Sequence, residues 1–439
     1  MFKETSKELL DFLSKSPTAF HAVENYRQIL NADGFKELLE SEHWDIVPGG
    51  KYYVTRNNTS ILAFKAGTKL DNYSFNVVTS HTDSPTFKVK ENAEIEVKNK
   101  YTQLNTEGYG GMLCATWLDR PLSIAGRVLV SEGNSIVTKL LNIDRDLLMI
   151  PNVAIHMNRA ANDGFKYNLQ VDMLPLLSAG DDRQKDFKQI IADELGVKKE
   201  DILGHDLYLY NRMAPSIWGA NEEFISAGHL DDLQCGFASL KALLAGYNDE
   251  SIDIMACFDN EEVGSGTKQG ADSTLLRDTL IRINSALGKT EEDYHRALAS
   301  SFMLSSDNAH AVHPNHPEHT DATNCTYMNE GVVVKSHAGQ KYTSDGVSMA
   351  VVKALASGAD VPLQYFANRS DKAGGSTLGN IAMAQASMNA VDIGLPQLAM
   401  HSSYETAGIK DTYYAISLMK ALFDSHIQET STHSLEIKS

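Results

Sequence analysis

Apolar and polar residues follow two different rhythms along this chain. At the start, "MFKETSKELLDFLSKSPTAFHAV" spaces apolar residues as a helix does, with charges between them. "TSILAFKAG" and "SFNVVTSH" are compact runs of branched and aromatic residues, the pattern of buried strands. From about Thr86 the period becomes two. "TFKVKENAEIEVKNK" alternates apolar with polar, as half-buried antiparallel strands do. "GRVLVSE", "SIVTKLLNI" and "DLYLYN" continue as strands, and "DDRQKDFKQIIADELG" predicts a helix from Asp181 or Asp182 to Gly196. After Gly236, strand, polar loop and helix alternate. "SIDIMACF" precedes "DSTLLRDTLIRINSAL"; "SFMLSSD" and "PLQYFAN" precede "GSTLGNIAMAQASM"; "PQLAMHS" precedes "DTYYAISLMKALFDS". Such alternation predicts an α/β fold, a mostly parallel sheet covered by helices. The end, "IQETSTHSLEIKS", reads as frayed. The expected organisation is an α/β unit from residues 1–88 and 224–439, interrupted by a β-rich insertion at 89–223.

In open α/β sheets, ligands bind beyond the carboxyl ends of the strands. Five apolar segments here run into acidic or imidazole side chains. They lead to His81 and Asp83, to Asp231 and Asp232, to Asp259, Glu261 and Glu262, to Asp307, and to His401. One such coincidence is ordinary, because turns favour Asp. Five, with two histidines among them, predict a metal site assembled from several strand ends. Histidine with carboxylate suits zinc or a similar divalent ion. Five ligands exceed the need of one catalytic zinc and suffice for two ions sharing a carboxylate. Asp83, two residues beyond His81, is placed to accept the other imidazole N–H.

Other motifs are weaker. Gly264-Ser265-Gly266 falls one residue short of a nucleophile elbow. "GYGGM" and "KAGGSTLG" lack the Gly-Lys-Ser/Thr ending of a phosphate-binding loop. "AHAVHPNHPEH" sets His310, His313, His316 and His319 three apart. Pro314 and Pro317 forbid a continuous helix there, so the spacing does not predict one shared face. His316 and His319 are expected in solvent. His310 and His313, nearer Asp307, are candidates for substrate contact.

Composition narrows the class. The 439 residues are enough for two domains, and 42% hydrophobic with 22% charged residues is ordinary globular material. A net charge of −18 argues against nucleic acid or an anionic membrane as partner. No apolar stretch is long enough to span a bilayer, and the N-terminal stretch lacks the apolar core of a signal peptide. Four separated cysteines with no CxxC fit a reduced, cytoplasmic setting.

The chain resembles the M18 family of metallo-aminopeptidases, the aspartyl aminopeptidase group. "PTAFHAVEN", "SHTDSPTFKVK", "GYGG", "TWLDRPLSIAGRV", "IPNVAIHMNR", "HLDDL", "FDNEEVGSGTKQGA", "SSDNAHAVHPNH", "SDGVS", "GGSTLGNI" and "VDIGLPQLAMHSSYETAG" follow the family's motifs in order along nearly the whole chain. The resemblance implies the phosphorylase/hydrolase-like fold of zinc peptidases. It also implies removal of N-terminal amino acids, acidic ones in particular, from short peptides. It implies two divalent ions, zinc first, with cobalt or manganese as alternatives. His81, Asp231 and Asp307 would hold one; Asp231, Glu262 and His401 the other, with Asp231 bridging. Glu261 would be the general base, and Asp83 would orient His81. A cis peptide would follow Asp231. His156 would reach a neighbouring subunit's site from an inserted dimerisation domain, and dimers would build a dodecamer. Lys335 lies in the segment that lines the substrate pocket, where an ammonium would attract an acidic side chain. The chain departs from the family pattern at Asp232, where Asn is usual, and at Tyr404, where many members carry Arg. The rival readings are an M42- or M20-type metallopeptidase or deacylase, and a non-catalytic assembly protein on the same fold.

Overall fold

The computed structural model describes residues 1–180 and 186–438. Its centre is a nine-stranded sheet. The strands Ser251–Phe258, Ser74–His81, Phe302–Ser306 and Asn389–Gly394 lie side by side in that order, all parallel. Period-two burial decides what covers each face. Val77, Ile254 and Met303 enter one core, with Leu276, Leu280 and Leu378 of the helices Leu275–Ala286 and Leu378–Gln385. Their chain neighbours Val78, Met255 and Leu304 enter the other, with Leu9, Leu30, Leu233 and Leu418. Those leucines belong to the helices Phe2–Ser14, Ala19–Ala32, Leu230–Ala245 and Asp411–Phe423. Each such side chain, fully buried, contributes about 1.5–3 kcal/mol. The result is a helix–sheet–helix sandwich.

The sheet is mostly parallel, as expected, but mixed: five of its eight described neighbour pairings are parallel and three antiparallel. Ser60–Ala66 runs antiparallel to Ser251–Phe258 on one flank, and Val332–Lys335 antiparallel to Asn389–Gly394 on the other. On its other edge Ser60–Ala66 forms a tight antiparallel hairpin with Lys51–Arg56. Its turn holds Asn57 at φ 59° and Asn58 at φ 58°, a conformation asparagine tolerates better than most residues.

Residues 86–211 contribute a separate six-stranded sheet in which every described pairing is antiparallel. It has its own core around Phe87, Trp117, Ile124, Leu207 and Leu209. The strand Thr86–Val97 runs through the expected boundary at residue 88 without a break. The helix Phe187–Leu195 is capped by Asp186, which accepts from the Gln189 N–H, and ends at left-handed Gly196 as expected. Asp181 and Asp182, its expected start, lie outside the described residues.

A five-stranded sheet includes Phe224–Ala227, Glu405–Gly408, Pro396–Leu398 and Ala309–His310. The C-terminal stretch is not frayed. His426–Ser431 pairs antiparallel with Ser434–Lys438, and Ile427 is buried against the helical core. Three apolar residues at alternate positions, Ile427, Leu435 and Ile437, hold it there. No cysteine among the described residues is disulfide-bonded, and no described helix is long and apolar enough to cross a membrane.

Candidate metal centre

Parallel neighbours end together. His81 closes its strand opposite Phe258, and Asp307 follows the adjacent strand Phe302–Ser306. The loop after Phe258 carries Glu261 and Glu262 on one short 3₁₀ turn. Asp231 stands at the first turn of Leu230–Ala245, where the backbone is not yet helical, and the Asp231–Asp232 peptide is cis. His401 follows the strand Pro396–Leu398 with φ 67°. The strand ends of two sheets therefore converge on one cluster.

Both imidazoles are oriented alike. His81 Nδ1 lies 3.0 Å from the Asp83 carbonyl, and His401 Nδ1 lies 3.0 Å from the Gly111 carbonyl. A carbonyl only accepts, so each Nδ1 carries a proton and each Nε2 faces inward. His81 Nε2 is 3.3 Å from Asp231 Oδ1 and 3.8 Å from Asp307 Oδ1. His401 Nε2 is 3.6 Å from Asp231 Oδ2 and 3.4 Å from Glu262 Oε2. The ligand atoms of Asp231, Glu262 and His401 lie within 4.8 Å of one another, as do those of His81, Glu261 and Glu262 and of His81, Asp232 and Asp307.

The donor set fits a cation. Asp231 Oδ1 and Glu262 Oε1 are buried and find no hydrogen-bond donor among the described residues. Buried carboxylate oxygens without donors are costly unless a positive charge meets them. Burial acts to lower the His81 pKa, yet Asp231, Asp307 and Asp83 raise it well above the ordinary value. Burial also pushes Glu261 up to about 8, and Asp307, Asp83 and Asp231 add to the rise while His81 opposes it. Burial alone would raise Asp307, but Lys335 and His81 bring it down to about 2.

Asp83 does more than face His81. Its carbonyl accepts the hydrogen bond of the imidazole Nδ1–H, while Oδ1 stands 3.4 Å from that nitrogen. The carboxylate instead accepts the N–H groups of Glu261 and Glu262, each at 3.2 Å. It thus pins the turn that carries both glutamates. Two supports were not legible in the sequence. Tyr109, from the antiparallel sheet, donates to Asp83 Oδ2 at 2.6 Å and accepts from Asn260 Nδ2 at 2.7 Å. Glu405, 2% exposed, accepts from the Asp231 N–H at 3.0 Å and the His401 N–H at 2.8 Å. Gly110 allows the approach of the two sheets. At φ +72° it sits so close that a Cβ would lie 3.1 Å from Glu262 Cβ.

Of the remaining expected residues, Asp232 and Lys335 adjoin the cluster, and none of the others belongs to one of its ligand groups. Asp259 turns away toward Gln269 and is pushed up to about 7 by burial and by Asp83. It lines a cavity of about 390 Å³ that shares Asp83 and Tyr109 with the cluster but contains none of the five candidate ligands. Asp232 is buried and accepts the His81 N–H at 3.1 Å. His310 and His313 are exposed and belong to none of the ligand groups. Lys335 is 3% exposed. Its ammonium donates to the Asn308 carbonyl at 2.7 Å and lies 3.7 Å from Asp307. Tyr404 donates to the Ala214 carbonyl at 2.7 Å. His156 is exposed in a segment with no regular structure beyond turns.

An α/β sheet that gathers two inward-facing imidazoles and a ring of carboxylates at its strand ends defines a metal-dependent centre. Residues 12–423 match the Aminopeptidase I zinc metalloprotease (M18) family. A protein described as probable M18 family aminopeptidase 2 from Clostridium novyi (strain NT) is 48% identical over 425 residues, covering 95% of this chain and 98% of that one. The solved structure of the Ape4 and Nbr1 complex superposes with a TM-score of 0.93 at 34% identity, covering 96% of this chain and 86% of that one. The S. cerevisiae mApe1 dodecamer superposes with a TM-score of 0.84 at 28% identity, covering 96% and 97%. The chain belongs to the M18 family of zinc metallo-aminopeptidases, hydrolases acting on peptides.

Proposed function

We propose that the cluster holds two divalent ions, His81, Asp231 and Asp307 binding one and Asp231, Glu262 and His401 the other. One observation carries this reading. The two oxygens of Asp231 face different imidazoles, Oδ1 toward His81 and Oδ2 toward His401. Zinc suits this donor set, with cobalt or manganese as substitutes. When bound, such ions polarise the scissile carbonyl and acidify water. Glu261 takes the proton of the attacking water and passes it to the leaving amine. Asp83 keeps His81 and the glutamate turn in register, and Glu405 does the same for Asp231 and His401.

The two glutamates test the assignment by failing differently. Glu261→Gln is expected to keep its metal and lose roughly 10²–10⁴-fold in turnover, the worth of a general base. Glu262→Gln is expected to lose part of its metal. Metal analysis that finds Glu261→Gln depleted and Glu262→Gln fully loaded reverses the roles.

A preference for acidic N-terminal residues rests on Lys335, with His310 and His313, which follow Asp307 along the chain, as further substrate contacts. The Lys335 ammonium is already engaged by the Asn308 carbonyl. Asp and Glu substrates cleaved no faster than Leu and Lys substrates would remove the preference and leave the aminopeptidase assignment standing. Residues 89–223 form the dimerisation unit in this reading, with His156 completing a neighbour's site. Exposed Val153, Ile155 and Met157 around His156 support an interface there, as does the dodecamer seen for mApe1.

A further inference from the structure

Pro314 and Pro317 exclude a helix through the histidine-rich segment, yet the structure brings three of its side chains together. Pro317–His319 forms a single 3₁₀ turn entered from His316. His316 Nδ1 lies 3.1 Å from Glu318 Oε1, and His319 Nε2 lies 4.0 Å from the same oxygen. The rings of His316 and His319 stack 5.4 Å apart with planes 26° from parallel. One ligand atom from each of the three residues falls within 4.8 Å of the others. All three side chains are exposed, so an ion can reach them from solvent.

The backbone holds this arrangement from several sides. The His316 N–H donates to the His313 carbonyl at 2.9 Å, and the His319 N–H to the His316 carbonyl at 3.2 Å. Thr320 Oγ1 donates to the Pro317 carbonyl at 2.7 Å. The Arg369 guanidinium donates to the Glu318 carbonyl. A turn already braced loses little entropy when its side chains close on an ion. The bland alternative is a solvated His–Glu contact, worth about 0–1 kcal/mol. That accounts for one pair and leaves the third donor unexplained.

We propose that His316, Glu318 and His319 form an additional metal site, apart from the cluster around His81 and His401, for borderline first-row divalent ions such as zinc, copper(II) or nickel(II). Two imidazoles and one carboxylate are the donors such ions prefer. Hard calcium and magnesium, which take oxygen ligands, are excluded by the same chemistry.

The test uses untagged holoenzyme dialysed against micromolar free zinc, with metal per chain measured by mass spectrometry. Wild type is expected to carry about one ion more than His316→Ala, His319→Ala or Glu318→Gln. Copper(II) added to the holoenzyme is expected to show nitrogen hyperfine coupling in its electron paramagnetic resonance spectrum, lost in the two histidine variants. All three variants are expected to keep wild-type turnover and melting temperature. Equal metal counts in wild type and variants overturn the proposal. So does loss of turnover together with the ion, which would assign that ion to the catalytic cluster. Displacement of the extra zinc by calcium overturns the donor assignment.

Discussion

Tyr109 carries the antiparallel sheet to the metal centre through a single hydroxyl. It donates to Asp83 Oδ2, and Asp83 in turn receives the N–H groups of both glutamates. A hydrogen bond to a charged group is worth about 1.5–3 kcal/mol. Tyr109→Phe keeps the ring and removes that bond together with the one the hydroxyl accepts from Asn260 Nδ2. Turnover is expected to fall roughly 10-fold or more, because the glutamate turn is less well held. KM is expected to change less, and zinc is expected to leave sooner in a chelator competition. Unchanged kcat with unchanged chelator resistance would show that the backbone bonds alone hold Asp83.

At the scale of elements, the helix Ala19–Ala32 brings a titration of its own. Thr18 Oγ1 lies 2.8 Å from His21 Nδ1, and burial lowers the His21 pKa from 6.5 to about 4, with Glu24 opposing the shift. The unfolded chain therefore binds the proton first as pH falls. Stability from neutral His21 is fully present above 6.5 and is lost progressively as pH drops toward 4. The loss is on the order of 1–2 kcal/mol after allowing for the partly exposed ring. Urea unfolding of wild type and His21→Gln across this window should show a steeper acid limb in wild type. Parallel curves would mean that the burial of His21 has no consequence for stability.

The whole molecule is where the proposed shared site has to act. His156 lies on an exposed segment whose apolar neighbours Val153, Ile155 and Met157 are 55%, 48% and 83% exposed. A buried core histidine is excluded by that position. As an oxyanion donor to a neighbour, its removal would cost about 10²–10³-fold in turnover. Mixing His156→Ala with Glu261→Gln under subunit exchange is expected to restore activity, because some mixed pairs hold one complete site. A metal-loaded monomer, made by an interface mutation and verified by sedimentation, is expected to be nearly inactive. Full activity in that monomer would end the shared-site reading.

The amino-acid sequence by itself determined which residue types stand at the strand ends. An apolar run stops where its burial stops, so the His81, Asp231, Glu261–Glu262, Asp307 and His401 positions follow from local pattern. The motif order along the chain carried the family. Tertiary structure alone decided what those residues meet. Glu405 reaches Asp231 across 174 positions, and Asn260 reaches Tyr109 across 151. No periodicity encodes a partner at that distance. The same holds for the sheet's antiparallel flanks, which pair segments far apart in the chain, and for the C-terminal hairpin, whose three apolar residues are too few to signal a strand. Lys335 reads as a pocket lysine until packing turns its ammonium onto Asn308 and Asp307. The prolines near His316 exclude a helix in sequence, but only the folded turn brings His316 and His319 to one carboxylate. Local pattern reports burial and backbone preference, whereas contacts between distant segments exist only once the sheets have closed on one another.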